Sequence, residues 1–213
     1  GTFTTNVAKA APVKWDQKIV KESDFTQVII VNSGIANACT GAEGYGYCKD
    51  TADKAAEVFS VPAEAVLLGS TGVIGKQLPI DRIRAGVEKL AAAKAGTLEA
   101  GNAAAKAIMT TDTCEKELAV EIEIGGKVVT IGGMAKGSGM IHPNMCTMLS
   151  FITTDAAISK EALQKALSDD VNDTYNMISV DGDTSTNDTV LVMANGMAGN
   201  EEIVVGTEEY ETF

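Results

Sequence analysis

The chain has 213 residues, enough for one large domain or two small ones, and with 45 % hydrophobic against 22 % charged residues it has the material for a buried core. Lys and Arg number 17 against 29 Asp and Glu, a net charge of −12, with no basic cluster; this argues against a nucleic-acid or anionic-membrane partner, since phosphate is held mainly by Lys and Arg. A single histidine, His142, excludes a multi-histidine metal site and leaves a Ser-His-Asp triad with one candidate.

Taken in chain order, the first clear element is a buried strand over residues 27–32, QVIIVN, β-branched and bounded by polar residues. A small-residue loop follows over 32–44, then an amphipathic helix over 50–59 that stops before Val61 and Pro62. A second strand, 65–69, runs into STGVIG, and helices are expected over 80–93 and 101–109. The alternation of LAVEIEI over 118–124, Gly125-Gly126, and KVVTI over 127–131 predicts a hairpin, because two glycines suit the positive φ angles of a two-residue turn. Strands are expected over 147–153 and 189–194, and helices over 160–167, capped by Ser159, and 170–178. Mixed strands and helices with an antiparallel hairpin make the class α+β or layered α/β.

The longest run without charge, 137–154, contains His142, Pro143 and Asn144 and is no membrane helix. The N-terminus has neither the basic nor the apolar region of a signal peptide, and its start at Gly1 hints at a processed or trimmed product. The four cysteines, Cys39, Cys48, Cys114 and Cys146, lack C-x-x-C spacing and read as reduced thiols of a cytosolic protein.

Four motifs carry candidate chemistry. GSTGVIGK over 69–76 resembles a phosphate loop, but five residues separate Gly69 from Gly75 and Gln77 follows the lysine, so the Walker pattern fails. What survives is a strand-loop-helix junction with amides free to face an anion or oxyanion, against the commoner reading as a plain tight turn. DGDTSTND over 181–188 resembles a calcium loop but has Thr186 where glycine is needed and Val192 where a bidentate glutamate is needed, so its polar groups read as turn caps. His142 and Cys146 are four apart in a segment too rich in Gly and Pro for a helix, and read as a loop histidine and a small buried thiol rather than a reactive pair. Lys136 is the only cation between residues 128 and 154; such a lysine reaches solvent more often than it binds a carboxylate.

Read together and in order, several segments go beyond composition: TFTTN over 2–6, KAAPV over 9–13, VNSG over 31–34, NACTG over 37–41, STGVIG over 70–75, MTTDT over 109–113, KGSGMI over 136–141, PNM over 143–145, TML over 147–149 and VDGDT over 180–184. In these the chain resembles the glutamate N-acetyltransferase (ornithine acetyltransferase) family of arginine biosynthesis, over nearly its whole length. The resemblance implies an α+β fold of layered sheets flanked by helices, with an N-terminal-nucleophile-like, self-cleaving architecture. Cleavage would fall between Cys146 and Thr147, dividing the chain into 1–146, part of an α chain, and 147–213, the start of a β chain, within one structural unit. Cys146 stands where many members have alanine; both are small, so cleavage is expected to be retained.

The resemblance also implies roles. Thr147 would be the nucleophile, its own freed α-amine, with an intrinsic pKa of about 8, serving as base, so no histidine is needed. Thr71 and Gly72 would form the oxyanion hole, and Thr113, Lys136 and Thr147 would bind substrate, Lys136 through a carboxylate. An acetyl group would pass from N2-acetylornithine to glutamate, with acetyl-CoA a further donor in some members. No metal or other cofactor is implied; the partners would be the other chain of the same precursor, in an α2β2 heterotetramer, with no nucleic acid and no membrane, in the cytoplasm. Family chains start before Gly1 and run well beyond Phe213, so part of the substrate pocket is expected to lie outside this stretch. Competing readings are an N-terminal-threonine amidohydrolase or aminopeptidase, and a non-catalytic fragment.

Overall fold

The β-branched run after Gln27 forms β2, Val28–Ile35, which pairs in parallel with β3, Val66–Val73, from Val28↔Val66 to Ile35↔Val73. In this computed structural model, which describes residues 1–142 and 148–213, α2 (Gly41–Phe59) connects the two strands as a βαβ unit. The second sheet has five strands, β1 (Thr2–Phe3), β7 (Thr189–Ala194), β6 (Leu149–Thr154), β5 (Lys127–Lys136) and β4 (Lys116–Ile124), in that spatial order. β6 and β7 are parallel and the other pairs antiparallel.

The two sheets and their helices stack in layers. Ile30, Val66 and Leu68 face helices α1 (Ala11–Glu22), α2 and α3 (Ile80–Ala93) through Ala11, Cys48, Ala52, Ala55 and Val87. Ile29, Val31 and Leu67 point the other way, onto Leu149, Phe151 and Leu191 of the larger sheet. Its outer face is covered by α5 (Lys160–Asp173) through Leu167 and Val171, while α6 (Glu208–Thr212) leads to Phe213 in a cluster around Ile124 and Ile203. The expected layered α+β architecture, with sheets flanked by helices, is what forms. Among the described residues no helix is long and apolar enough to cross a membrane.

The hairpin turn has φ of 57° at Gly125 and 72° at Gly126, the left-handed pair its sequence calls for. Elsewhere the structure departs from expectation. α1 was not anticipated: its inward stripe is interrupted by Asp16, fully buried, whose Oδ1 accepts the Leu68 N–H at 2.8 Å. α2 begins at Gly41, nine residues before the expected start at Asp50. Its glycines weaken helix propensity, but packing overrides this: Asn37, in a left-handed turn at φ 49°, donates to the Gly44 carbonyl at 2.9 Å, and a Cβ at Gly44 would run into the Thr40 hydroxyl. The first part of the expected 170–178 helix is the end of α5, followed by a 3-10 turn over Tyr175–Met177. α4 (Leu98–Ala107) starts earlier than expected because the Thr97 hydroxyl caps the Ala100 N–H at 3.2 Å. Thr147, the first residue of the strand expected over 147–153, lies outside the described residues.

Candidate active site

Three strand ends and two loops converge on a cavity of about 680 Å³. β3 brings Thr71 and Gly72, β2 brings Ser33 and Gly34, and the end of β5 brings Lys136. The loop after α4 adds Thr110, and the segment before β7 adds Asn187.

Thr71 and Gly72 were expected at a strand-loop-helix junction. They instead lie inside β3, opposite Ser33 and Gly34, and α3 does not begin until Ile80, so no helix N-terminus stands behind them. Gly72 has φ of 125°, and a Cβ there would sit 2.3 Å from the Gly34 carbonyl carbon. Only glycine lets β2 and β3 close this tightly at the cavity edge.

Lys136, read as a lysine more apt to reach solvent, is 4 % exposed. Its Nζ donates to Thr71 Oγ1 at 3.1 Å and Thr110 Oγ1 at 2.9 Å. No carboxylate among the described residues lies within ion-pair distance of it. Burial lowers its pKa, Lys116 adds to that, and the fields of Asp112 and Asp188 oppose it. It is thus a buried charge bonded to neutral hydroxyls in the lining of the cavity.

The loops are pinned by acids and amides. Asp112 accepts the Gly137 N–H and the Lys116 ammonium, each at 2.7 Å, and the Thr110 N–H at 3.3 Å. Burial works against its ionised form, but these donors outweigh it and hold the pKa below the usual carboxylate value. Asn187 Nδ2 bridges the carbonyls of Ala36 and Ser70 at 2.7 and 2.8 Å. Across the chain, Thr4 Oγ1 donates to the Ser185 carbonyl at 2.8 Å and Asn6 Nδ2 to the Thr184 carbonyl at 2.9 Å. The stretch 181–188 makes the turn bonds expected of it, Asp181 Oδ1 accepting the Asp183 N–H at 3.2 Å and Ser185 Oγ the Asn187 N–H at 3.0 Å, and Asp181 also takes the distant amides of Met140 and Ile141 at 2.6 and 3.0 Å. Among the described residues no group of three His, Cys, Asp or Glu could hold a metal.

Thr71, Gly72 and Lys136 therefore come together. Thr113 is exposed and does not line the cavity; Thr110, in the same MTTDT stretch, does. His142 is exposed, and Cys146 and Thr147, with the scissile bond between them, lie outside the described residues. Cys39, Cys48 and Cys114 are free thiols, and burial pushes Cys48 up to about 12. Sequence reasoning missed Thr110, Asp112 and Asn187 as parts of the site, although each falls in a segment it had singled out.

Residues 1–213 match the model of the ArgJ family from end to end. The chain belongs to the ArgJ family. ArgJ relatives include the arginine biosynthesis bifunctional proteins of Symbiobacterium thermophilum, 53 % identical over all of this chain, and Caldanaerobacter subterraneus subsp. tengcongensis, 54 % identical over 99 % of it. Each match covers 52 % of the relative, so the chain spans about half the length of the curated ArgJ proteins it matches. Among solved structures, the bifunctional ArgJ protein of Bacillus halodurans superposes with a TM-score of 0.63 at 43 % identity, covering 70 % of this chain and 75 % of that one. The ornithine acetyltransferase of Mycobacterium tuberculosis, in complex with ornithine, superposes with a TM-score of 0.60 at 38 % identity, covering 70 % and 76 %.

Proposed function

We propose that this ArgJ-family chain carries part of the active site of an acetyltransferase that moves acetyl from N2-acetylornithine to glutamate through an acetyl-threonine on Thr147. The observation that carries this reading is Lys136: a buried cation with hydroxyl partners and, among the described residues, no carboxylate within ion-pair distance, beside Thr71 and Gly72 in the cavity lining. Such a charge in a low-dielectric wall suits the carboxylate of an amino-acid substrate. The ornithine bound by the Mycobacterium tuberculosis relative supports an ornithine-type donor.

In this reading the chain cuts itself between Cys146 and Thr147, and residues 1–146 and 147–213 stay in one structural unit. Thr147 Oγ attacks the acetyl carbonyl, its proton passing to the freed α-amine. Thr71 and Gly72 stabilise the oxyanion. The C–N bond then breaks as the proton passes to ornithine. The amine of glutamate next attacks the acetyl ester, and N-acetylglutamate leaves. Lys136 holds substrate from the cavity wall, while Thr113, outside that wall, would take part only through the substrate portion beyond it; acetyl-CoA would be a further donor, as in some members, and the assembly is an α2β2 heterotetramer of the cytoplasm.

Mass spectrometry of the full-length protein tests this directly. Two fragments divided at 146/147 are expected, with a single intact and inactive species in Thr147→Ala. Active material that remains one intact species would overturn self-cleavage. Acetate release at the same rate with and without glutamate would replace the transferase with an amidohydrolase.

A further inference from the structure

Asp112 stands behind the cavity wall. Its side chain has no solvent exposure, and the cavity is lined by Thr110, Thr111 and Lys136 but not by Asp112. Its two oxygens hold the backbones that carry two of those lining residues. Oδ1 accepts the N–H of Gly137, the residue after Lys136, at 2.7 Å, and Oδ2 accepts the Thr110 N–H at 3.3 Å. On the cavity side Lys136 Nζ donates to Thr110 Oγ1 at 2.9 Å. One carboxylate thus closes a ring between the end of β5 and the loop after α4. The β4–β5 ladder begins only at Lys116↔Ala135, so the loop that carries Thr110 lies beyond its last pair. Asp112 ties that loop to β5, with the Thr111–Ser138 hydroxyl pair beside it at 2.6 Å.

We infer that Asp112 is a positioning residue of the substrate-carboxylate site: it fixes where the Lys136 ammonium stands against Thr110, and it supplies the negative field in which that ammonium is held. This rests on the reading proposed above, in which Lys136 holds the carboxylate of N2-acetylornithine.

An ammonium has three N–H donors. Two go to Thr71 and Thr110, and their directions set the direction of the third, the one a substrate carboxylate would take. Moving the loop relative to β5 re-aims it, and small misplacements are costly in such a site. An acid in direct contact with Lys136 would compete with the substrate, but among the described residues none lies within ion-pair distance; the ion pair of Asp112 is with Lys116, at 2.7 Å. Asp112 therefore acts on Lys136 through its field and leaves the contact position to the ligand. The charged groups around Lys136 are Asp112 from the loop after α4, Lys116 from β4 and Asp188 before β7. Burial lowers the Lys136 pKa, Asp112 is the largest influence opposing it, Lys116 works with burial, and Asp188 works against it. Asp112 itself stays ionised: burial disfavours its charge, but the Lys116 ammonium and the Gly137 and Thr110 amides outweigh that.

The test is Asp112→Asn in the full-length protein, with Lys116→Met and Lys136→Met beside it. The single oxygen of the amide can still accept from Gly137, while its NH2, a donor, faces the Thr110 N–H. The expected D112N is folded, with KM for N2-acetylornithine raised about tenfold or more and kcat within about threefold of wild type. The basic limb of its kcat/KM profile moves to lower pH, because Lys136 without its anionic neighbour loses its proton more easily. A purely structural role would lower the melting temperature and leave KM and the basic limb in place. A folded D112N with either the wild-type KM or the wild-type basic limb overturns the inference. If D112N does not fold, Lys116→Met decides. Its side chain is 43 % exposed, and its loss leaves the charge of Asp112 unshared, so the basic limb should move to higher pH. A limb at or below the wild-type position there overturns the inference equally. Lys136→Met with the wild-type KM would instead sink the parent reading, whatever Asp112 does.

Discussion

Asp16 and Asp188 are two buried acids in one chain with the same local chemistry and different surroundings. Each gives one oxygen to a strand amide, Leu68 for Asp16 and Met148 for Asp188, and each leaves Oδ2 without a partner among the described residues. Burial raises both. Asp16 sits within the closed layer between α1 and β3, where the Leu68 amide opposes the effect of burial. Asp188 sits in the field of Lys136, next to the cavity. The same buried carboxylate thus meets two settings, a closed helix-strand layer in one region and the field of a buried lysine beside a cavity in the other.

Removing Asp16 is the largest way to test this contrast. Asp16→Ala leaves the Leu68 N–H unsatisfied and opens a void, so the chain should lose about 3 kcal/mol in urea unfolding, whereas Asp16→Asn, which keeps the acceptor, should lose less than about 1 kcal/mol. Equal losses would mean that the acid itself, not its acceptor oxygen, holds α1 on β3.

The charge that distinguishes the two sites can be removed next. Lys136→Met should raise KM for the acetylated donor about a hundredfold, roughly 2–3 kcal/mol. In carboxyl-detected NMR it should move the Asp188 titration upward and leave Asp16 where it is. Equal shifts at both would erase the distinction.

The smallest effect is in the pH dependence of stability. Both acids have native pKa values above their unfolded ones, so the native state binds protons more tightly. Their contribution is full below about pH 4 and is lost as pH rises, for Asp188 through about 8. The melting temperature of the parent should therefore fall more steeply from pH 4 to 8 than that of either Asp16→Asn or Asp188→Asn. Unchanged slopes in both variants would show that neither acid is protonated in the native state.

Much of the scaffold was legible in the sequence for local reasons. The hairpin announced itself through alternation and Gly125-Gly126, and β2 through its β-branched run. What could not be read depends on distant partners. The α1 stripe is interrupted by an acid whose partner amide lies 52 residues away, and α2 starts at glycines that only the turn at Asn37 makes favourable. The same holds at the site. Lys136, Thr71 and Gly72 stood out by motif, but the burial of Lys136 depends on hydroxyls from two other segments. Asp188 read as turn chemistry because its partner, Met148, is 40 positions earlier.

The larger sheet is threaded so that a break before residue 147 would divide its strands between two polypeptides, β1, β4 and β5 on one and β6 and β7 on the other. Two ladders would cross that divide, six residue pairs between β5 and β6 and two between β1 and β7, with the Thr4 and Asn6 bonds beside them. Pulling the pieces apart would strip water-shielded surface from Leu149, Phe151, Val190 and Leu191, all central to the molecule. A nicked chain of this design would melt in one cooperative step and would not dissociate on dilution.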